Sequence, residues 1–258
     1  MILLLAGTKE GRELASSLVN AGIKVLASAA TPYGGALLRE IPGVVVKTGR
    51  LDAAGLERLL DKHRIKGIVD ATHPFAEEIT RLARQAAQKG GRPYLRWERP
   101  RTPLPESDLL YRVEDWNAVA EMISELQVRR LFLTIGINHL EFIAKHPLLA
   151  HCSFTARVAP LPGALSACLQ AGLKPQQIIA LQYPGSRELN IALLKHFQAE
   201  ALVTKESGSQ GGVMEKVGAA LNLEIPVVLV ERPPGDAAIS AVSDPEAVIS
   251  WAKIVEGM

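Results

Sequence analysis

The sequence predicts an α/β protein: two Rossmann-like domains with mainly parallel sheets and an active-site cleft between them. Three observations carry this. Short apolar runs alternate with longer amphipathic stretches along the whole chain, the pattern of βαβ units. Most of these runs are apolar throughout rather than at every second residue, as strands are when a sheet is covered on both faces. The halves also echo one another in the same order: LLLAGT (Leu3–Thr8) with FLTIG (Phe132–Gly136), GIVDATHPFAEEI with ALVTKESGSQGGVMEKV, and PYLRWERP with PVVLVERP. Two structurally similar domains are therefore placed at residues 1–105 and 129–258, with 106–128 as a linker or crossover and strand exchange allowed.

In the first half, strands are expected at Ile2–Ala6, Lys24–Ser28, Val44–Lys47, Gly67–Asp70 and Tyr94–Trp97. Helical patterns separate them at Gly11–Asn20, Ala53–His63 and Phe75–Gln88. Pro74 then falls in the first helical turn, where its missing N–H would have been orphaned anyway. In the second half, strands at Leu131–Ile135, Ser153–Val158, Ile178–Gln182, Ala201–Thr204 and Val227–Glu231 alternate with helices at Val119–Glu125, His139–Lys145, Leu189–Phe197 and Met214–Leu221.

With 258 residues, 48% hydrophobic and 22% charged, the chain has the composition of a soluble globular protein with a sizeable core. A formal charge of +2 without a Lys/Arg-rich block disfavours a nucleic-acid partner, which needs a clustered basic face. Cys152 and Cys168 are too few for a disulfide framework and lack metal-ligand spacing, so a reducing, cytoplasmic compartment is expected. The opening MILLLAG is too short for a membrane span and lacks the basic flank of a signal peptide; it reads as a buried strand. The chain shows no His/Cys/carboxylate cluster suited to a metal and no GxSxG elbow, so no metal site is expected.

Four loops at strand ends can carry chemistry. Gly7, Thr8 and Gly11 sit between the first strand and a helix start, where backbone can approach a phosphate, although a tight turn explains the glycines equally well. After the second strand come Ser28, Thr31, Tyr33 and Gly34, with Arg39 further on. A site preferring NAD usually has an acid here for the ribose 2′-hydroxyl, so its absence leans toward NADP if a nicotinamide binds. After the fourth strand, Thr72, His73 and Pro74 form a polar turn in which His73 can contact an anion or pass a proton. An ordinary cap with a solvated histidine is the alternative, and Asp70 reads as a cap or turn residue. In the second half Lys205 emerges at a strand end, followed by Ser207, Gly208, Ser209, Gln210, Gly211 and Gly212. Small residues of this kind can form a backbone nest for an anion, and a plain surface loop is the alternative. Arg96, Arg99, Arg101, Arg157, Arg187 and Arg232 also lie near strand ends; most are expected to be solvated, with Arg157 the one preferred for the cleft.

Taken together and in order, LLLAGTKEGRELA, SAATPYG, VDATHPFA, YLRWERP, TKESGSQGG and IPVVLVERP resemble the precorrin-6A reductase family, including the cobalt-precorrin-6A reductases, from about Ile2 to Pro233. The resemblance implies two Rossmann-like domains and an NADPH-dependent reduction of the C18–C19 double bond of precorrin-6A, or its cobalt form, to precorrin-6B in cobalamin biosynthesis. The expected cofactor is NADPH, held by the loops of Gly7, Ser28 and His73. The expected partners are the macrocyclic tetrapyrrole, contacted by Arg157 and the Lys205–Gly212 loop, and neighbouring enzymes of the cobalamin pathway; no membrane partner is expected. His73, Lys205 and Tyr33 are the candidate proton donors, and the expectation is that positioning matters more than any one acid. Two other readings stand beside this one: a non-catalytic nucleotide or metabolite sensor, and a tetrapyrrole enzyme of the same plan without a nicotinamide.

Overall fold

The computed structural model describes residues 1–98, 100–182, 185–233 and 241–257. In chain order the first stretch forms β1 (Ile2–Leu5), α1 (Lys9–Asn20), β2 (Val25–Ala29), α2 (Pro32–Arg39), β3 (Val45–Thr48), α3 (Ala53–Lys62), β4 (Gly67–Asp70), α4 (Glu77–Lys89) and β5 (Tyr94–Trp97). Then come β6 (Leu110–Val113), α5 (Trp116–Glu125), β7 (Arg130–Leu133), α6 (Leu140–Ala144), β8 (Ser153–Val158), α7 (Pro162–Gln170), β9 (Ile178–Ala180) and α8 (Arg187–His196). The chain closes with β10 (Ala201–Lys205), α9 (Val213–Leu221), β11 (Val227–Val230), β12 (Ala241–Val242) and α10 (Pro245–Glu256).

These elements form two six-stranded sheets, β12-β5-β4-β1-β2-β3 and β6-β11-β10-β7-β8-β9, whose described pairings are all parallel. The orders correspond strand for strand: β1 to β7, β2 to β8, β3 to β9, β4 to β10 and β5 to β11. Only the sixth strand breaks the correspondence in sequence. β6 follows β5 in the chain yet pairs with β11, and β12 follows β11 yet pairs with β5. Each half therefore lends its last strand and helix to the other half's sheet.

That exchange corrects the expected boundaries. Residues 106–128 are not a linker, since they supply β6 and α5 to the second sheet, and the stretch from Ala241 onward leaves the 129–258 domain to complete the first. One compact unit is residues 1–100 with the C-terminal stretch, and the other is 101–233.

In the first unit both faces of the sheet are covered. Leu14, Ala15 and Leu18 of α1, Leu38 of α2 and Val248, Ile249 and Ala252 of α10 pack with Ile2, Leu4 and Val69 on one face. Leu56, Leu59 and Leu60 of α3 and Leu82, Ala83, Ala86 and Ala87 of α4 pack with Leu3, Leu5 and Ile68 on the other. Alternate residues of β1 thus go to opposite cores, which is why the strand is apolar throughout. In the second unit, Phe132, Leu202 and Leu229 of the sheet pack with Leu194 of α8 and Val213, Val217 and Ala220 of α9.

Three helices lack a counterpart in the sequence reading. α2 (PYGGALLR) contains two glycines and reads as a loop, yet Thr31 caps it and Pro32 opens it. Gly35 is needed there, because a Cβ would lie 2.1 Å from Thr48 Oγ1 of β3. α7 also begins at a proline, and α10 begins at Asp244-Pro245, with the Asp244 carboxylate accepting from Glu246 N.

Candidate functional site

In the first unit, β1 pairs with β2 on one side and β4 on the other, so the chain leaves β1 and later returns on opposite sides of it. Open α/β sheets bind ligands at such a switch point, beyond the carboxyl ends of the strands. The register brings Ser28, Leu5 and Asp70 level with one another at that edge. The turns that follow carry Gly7–Thr8, Thr31 and Thr72–His73, so the three first-unit loops singled out in the sequence rim one edge.

At the first turn, Thr8 Oγ1 accepts from Gly11 N at 3.1 Å and caps α1. Gly7 is exposed, and a Cβ there would meet nothing within 4 Å. Gly11 is different: a Cβ would lie 3.1 Å from Ala6 Cα and 3.2 Å from Ala6 Cβ, so this glycine lets α1 sit close against the strand end. The start of α1 thus presents backbone N–H groups and a positive dipole end beside an open turn, a suitable cradle for a phosphate.

At the second turn Ser28 is buried, while Thr31 and Tyr33 are exposed. Thr31 Oγ1 accepts from Gly34 N at 3.0 Å. Tyr33 and Gly34 therefore belong to the first turn of a helix and not to a loop. Arg39 closes the same helix, its guanidinium donating to Thr48 Oγ1 at 2.9 Å. Residues 28–36 contain no acidic side chain.

At the third turn the structure departs from the sequence reading. α4 starts at Glu77 rather than Phe75, and Pro74 occupies a β-turn closed by Ala76 N donating to His73 O at 2.8 Å. Proline suits the second position of such a turn because its φ is already set. His73 Nδ1 accepts from Phe75 N at 3.2 Å, so in the neutral ring the proton sits on Nε2. Asp70 is far more than a cap. Wholly buried, it faces Arg96 Nη1 at 2.7 Å and accepts from Thr72 N at 3.0 Å, Thr72 Oγ1 at 2.7 Å, Thr80 Oγ1 at 2.7 Å and Tyr94 Oη at 2.8 Å. Burial, then the Asp70 charge, holds the Tyr94 phenol well above its usual range. Arg96 also donates to Thr72 Oγ1 at 3.0 Å and Thr72 O at 3.3 Å. Where most of the strand-end arginines were expected to be solvated, Arg96 is buried: it anchors the turn that presents His73.

The second unit repeats the device with different residues. Glu206, buried just beyond β10, pairs with Arg232 and accepts from Gly208 N and Thr102 N, each at 3.2 Å. Arg232 is therefore also buried rather than solvated. Glu206 was missed among the candidates, although its place between Lys205 and Ser207 in KES was legible. Gly208 and Gly212 have positive φ (79° and 63°) on either side of a single 3-10 turn, Ser209–Gly211. Gly211 is required by close packing, since a Cβ would lie 1.9 Å from Ser207 Oγ. Ser209 and Gln210 are exposed, whereas Ser207 and Gly208 are buried.

Lys205 ends β10 half-buried, and desolvation lowers its pKa from 10.5 to about 8. Arg157, on β8, is buried with its Nη1 donating to Asn190 Oδ1 of α8 at 2.6 Å. Lys216, in the first turn of α9, is a third cation that the sequence reading missed. It is buried, and desolvation followed by the charges of Arg157 and Lys205 lowers its pKa from 10.5 to about 7. Nothing in the pattern VMEKVGAAL distinguishes it from a solvated helix lysine. His139, at the start of α6, stacks on Trp116 with ring centroids 4.3 Å apart, and burial and then Lys205 lower its pKa. Of the other arginines, Arg187 donates to Gly218 O at 2.8 Å, Arg101 is exposed, and Arg99 lies outside the described residues. Among the described residues no group of three or more His, Cys, Asp or Glu is placed to hold a metal, and no helix is long and apolar enough to cross a membrane.

Comparison with known proteins agrees across the chain. The family description "Precorrin-6x reductase CbiJ/CobK" matches residues 1–253. A cobalt-precorrin-6A reductase of Methanothermobacter thermautotrophicus is 35% identical over 250 residues, covering 94% of this chain and 81% of that protein. A cobalt-precorrin-6A reductase of Priestia megaterium is 36% identical over 234 residues, covering 90% and 91%. A solved structure described as CobK precorrin-6A reductase superposes with a TM-score of 0.78 at 25% identity, covering 98% of this chain and 96% of the other.

Proposed function

The chain belongs to the precorrin-6x reductase family and is thus an oxidoreductase of cobalamin biosynthesis, and on that premise we propose that it reduces the C18–C19 double bond of precorrin-6A, or its cobalt form, at the expense of NADPH. The nucleotide assignment rests chiefly on the switch-point edge of the first sheet. There the start of α1 and the open Gly7 turn offer a phosphate cradle, and the acid-free stretch after β2 suits a 2′-phosphate. Gly7, Thr8 and Gly11 would face the pyrophosphate, and Ser28, Thr31, Tyr33 and Gly34 the adenosine ribose. Thr72, His73 and Pro74 would form the wall nearest the reacting ring. Bound there, NADPH would supply the hydride.

The second unit supplies cations for a substrate fringed with carboxylates: Arg157, Lys205 and the donor-rich loop Ser207–Gly212. What remains for the protein is orientation, which can contribute roughly 7–11 kcal/mol of barrier lowering, against about 10²–10⁴ in rate for one general acid. His73, Lys205 and Tyr33 are the candidate proton sources beside water, and loss of one slows the reaction rather than abolishing it.

Calorimetric titration with NADPH and NADH is the first test, followed by turnover with the macrocycle. Binding of NADPH at least tenfold tighter than NADH, with NADPH consumed only when precorrin-6A or its cobalt form is added, is the expected result. Failure to bind NADPH both alone and with a tetrapyrrole analogue present would overturn the reading.

A further inference from the structure

The second sheet has a switch point of its own. β7 pairs with β10 on one side and β8 on the other, as β1 does with β4 and β2. Its carboxyl edge is therefore the usual place for a ligand in such folds, but different residues fill it. In the first unit the open Gly7 turn runs into the twelve-residue α1, capped by Thr8. In the second, the turn at Gly136 has φ at 74° and nothing within 4 Å of an added Cβ, and it leads through Ile137 and Asn138 to His139. The helix that follows, α6, has five residues and no side-chain cap, so the phosphate cradle is not repeated. An imidazole takes its place.

The His139 ring is held by its face. It stacks on Trp116 with 4.3 Å between centroids and 15° between planes. The Asp115 carboxylate, accepting from Ala118 N at 2.9 Å, caps the helix start that carries the indole. Both imidazole nitrogens lie in the ring plane, so stacking on one face leaves them available at the ring edge. His73 and His146 each use Nδ1 to accept a backbone N–H, from Phe75 and Leu148. Neither ring nitrogen of His139 has a hydrogen-bond partner among the described residues, and the residue is half-buried rather than sealed from solvent. Burial, and then the Lys205 charge, lower its pKa from 6.5, which makes its imidazolium a stronger acid than in water. The other titratable or charged groups on the surrounding elements are Asp115, Glu141 and Lys145 (paired with each other), His146, and Cys168 of α7; Lys205 is the one whose charge moves it.

We propose that His139 is the proton donor of the reduction, with Trp116 as the positioning residue that fixes its ring plane. One carbon of the double bond receives the hydride, and the π electron pair passes to its neighbour. That neighbour takes the proton as the N–H bond of the His139 imidazolium breaks. Neutral imidazole remains and regains a proton from water, so each turnover consumes one NADPH and one proton. The assignment rests on the reductase reading above and adds to it a catalytic residue that the sequence motifs did not single out. A fixed ring plane and two nitrogens free of hydrogen bonds suit this role, since a general acid must point its N–H at the accepting atom.

Two measurements test this, one of them without turnover. In the ligand-free protein the His139 ring protons, assigned in NMR spectra by their loss in His139→Gln, should titrate below 6.5. Trp116→Leu uncovers one face of the ring and should move that titration up toward 6.5. In turnover with precorrin-6A or its cobalt form at saturating NADPH, kcat should fall as pH rises above the same midpoint, because only the imidazolium donates. His139→Gln should lower kcat about 10²-fold, abolish that limb of the pH profile and leave NADPH affinity unchanged. Trp116→Leu should shift the limb upward together with the NMR titration, which a merely structural indole would not do. It carries the test should His139→Gln fail to fold. A limb that persists in folded His139→Gln, or one that stays put in Trp116→Leu while the titration moves, would overturn the assignment and leave the reductase reading standing. A wild type that consumes no NADPH with either macrocycle would overturn both.

Discussion

Asp70 Oδ1 lies 2.7 Å from Arg96 Nη1, with the Asp70 side chain wholly buried and that of Arg96 7% exposed. The pair joins the last residue of β4 to β5, and Thr72, Thr80 and Tyr94 complete the carboxylate's hydrogen bonds. Removing one partner of such a pair strands the other charge in the interior, which costs about 3–5 kcal/mol. Asp70→Asn should lower unfolding free energy by about that amount in urea denaturation. Tyr94→Phe, which removes one neutral donor, should cost about 1–2 kcal/mol. A shift below about 1 kcal/mol for Asp70→Asn would show that the network is not what holds the turn.

The stretch after β2 offers a direct test of cofactor preference. Thr31 caps α2 through its side-chain oxygen, and aspartate caps as well as threonine. Thr31→Asp therefore keeps the helix start and adds one negative charge where the 2′-phosphate of NADPH is proposed to lie. NADPH affinity should fall about tenfold, with NADH affinity unchanged or improved. An equal fall for both nucleotides would place the phosphate elsewhere.

His73 is positioned by the turn it belongs to. Its Nδ1 accepts the Phe75 N–H, which leaves Nε2–H as the donor to any bound anion. His73→Ala should retain turnover within about 10²-fold of wild type and lose about 1 kcal/mol of stability with the turn's side-chain hydrogen bond. Complete loss of turnover, with folding and NADPH binding intact, would make His73 an indispensable acid.

Stability should rise with pH through the neutral range. Lys216 and Lys205 have folded pKa values of about 7 and about 8, both below the ordinary 10.5. Between those values and 10.5 the unfolded chain binds more protons than the folded one, so raising the pH favours folding. Lys216 contributes a slope of at most about 1.4 kcal/mol per pH unit, and Lys205, closer to solvent, contributes less. Urea midpoints from about pH 7 to pH 8 read this below the range where Cys152, Cys168 and Tyr94 titrate. Lys216→Met should flatten the rise. A midpoint that falls over this interval in the wild type would mean that Lys216 is held charged in the folded protein.

Much of the fold was legible in the chain because local signals and burial agreed. β1, β4 and β10 are apolar on both faces, α1 and α3 carry capping residues at Thr8 and Asp52, and the repeated turns announced two similar halves. Legibility failed where the decisive contact is remote in sequence. α2 hides behind two glycines, one of which exists to clear Thr48 on β3. β6 and β12 are short and give no hint of which sheet they join; the open edges of β11 and β5 decide that. Arg96 and Arg232 were not told apart from surface charges, because a sequence shows charge and not depth.

The sequence by itself determined the α/β class, the alternation of strand and helix, and the turns that rim the first sheet, since each follows from a local pattern of apolar, capping and turn residues. Only the tertiary structure decided that the halves exchange their sixth strands, that Asp70 and Glu206 are buried anchors, and that Lys216 is buried. Those outcomes depend on which strand edge stands unpaired and which charges share a desolvated space, and both are set only when distant segments meet.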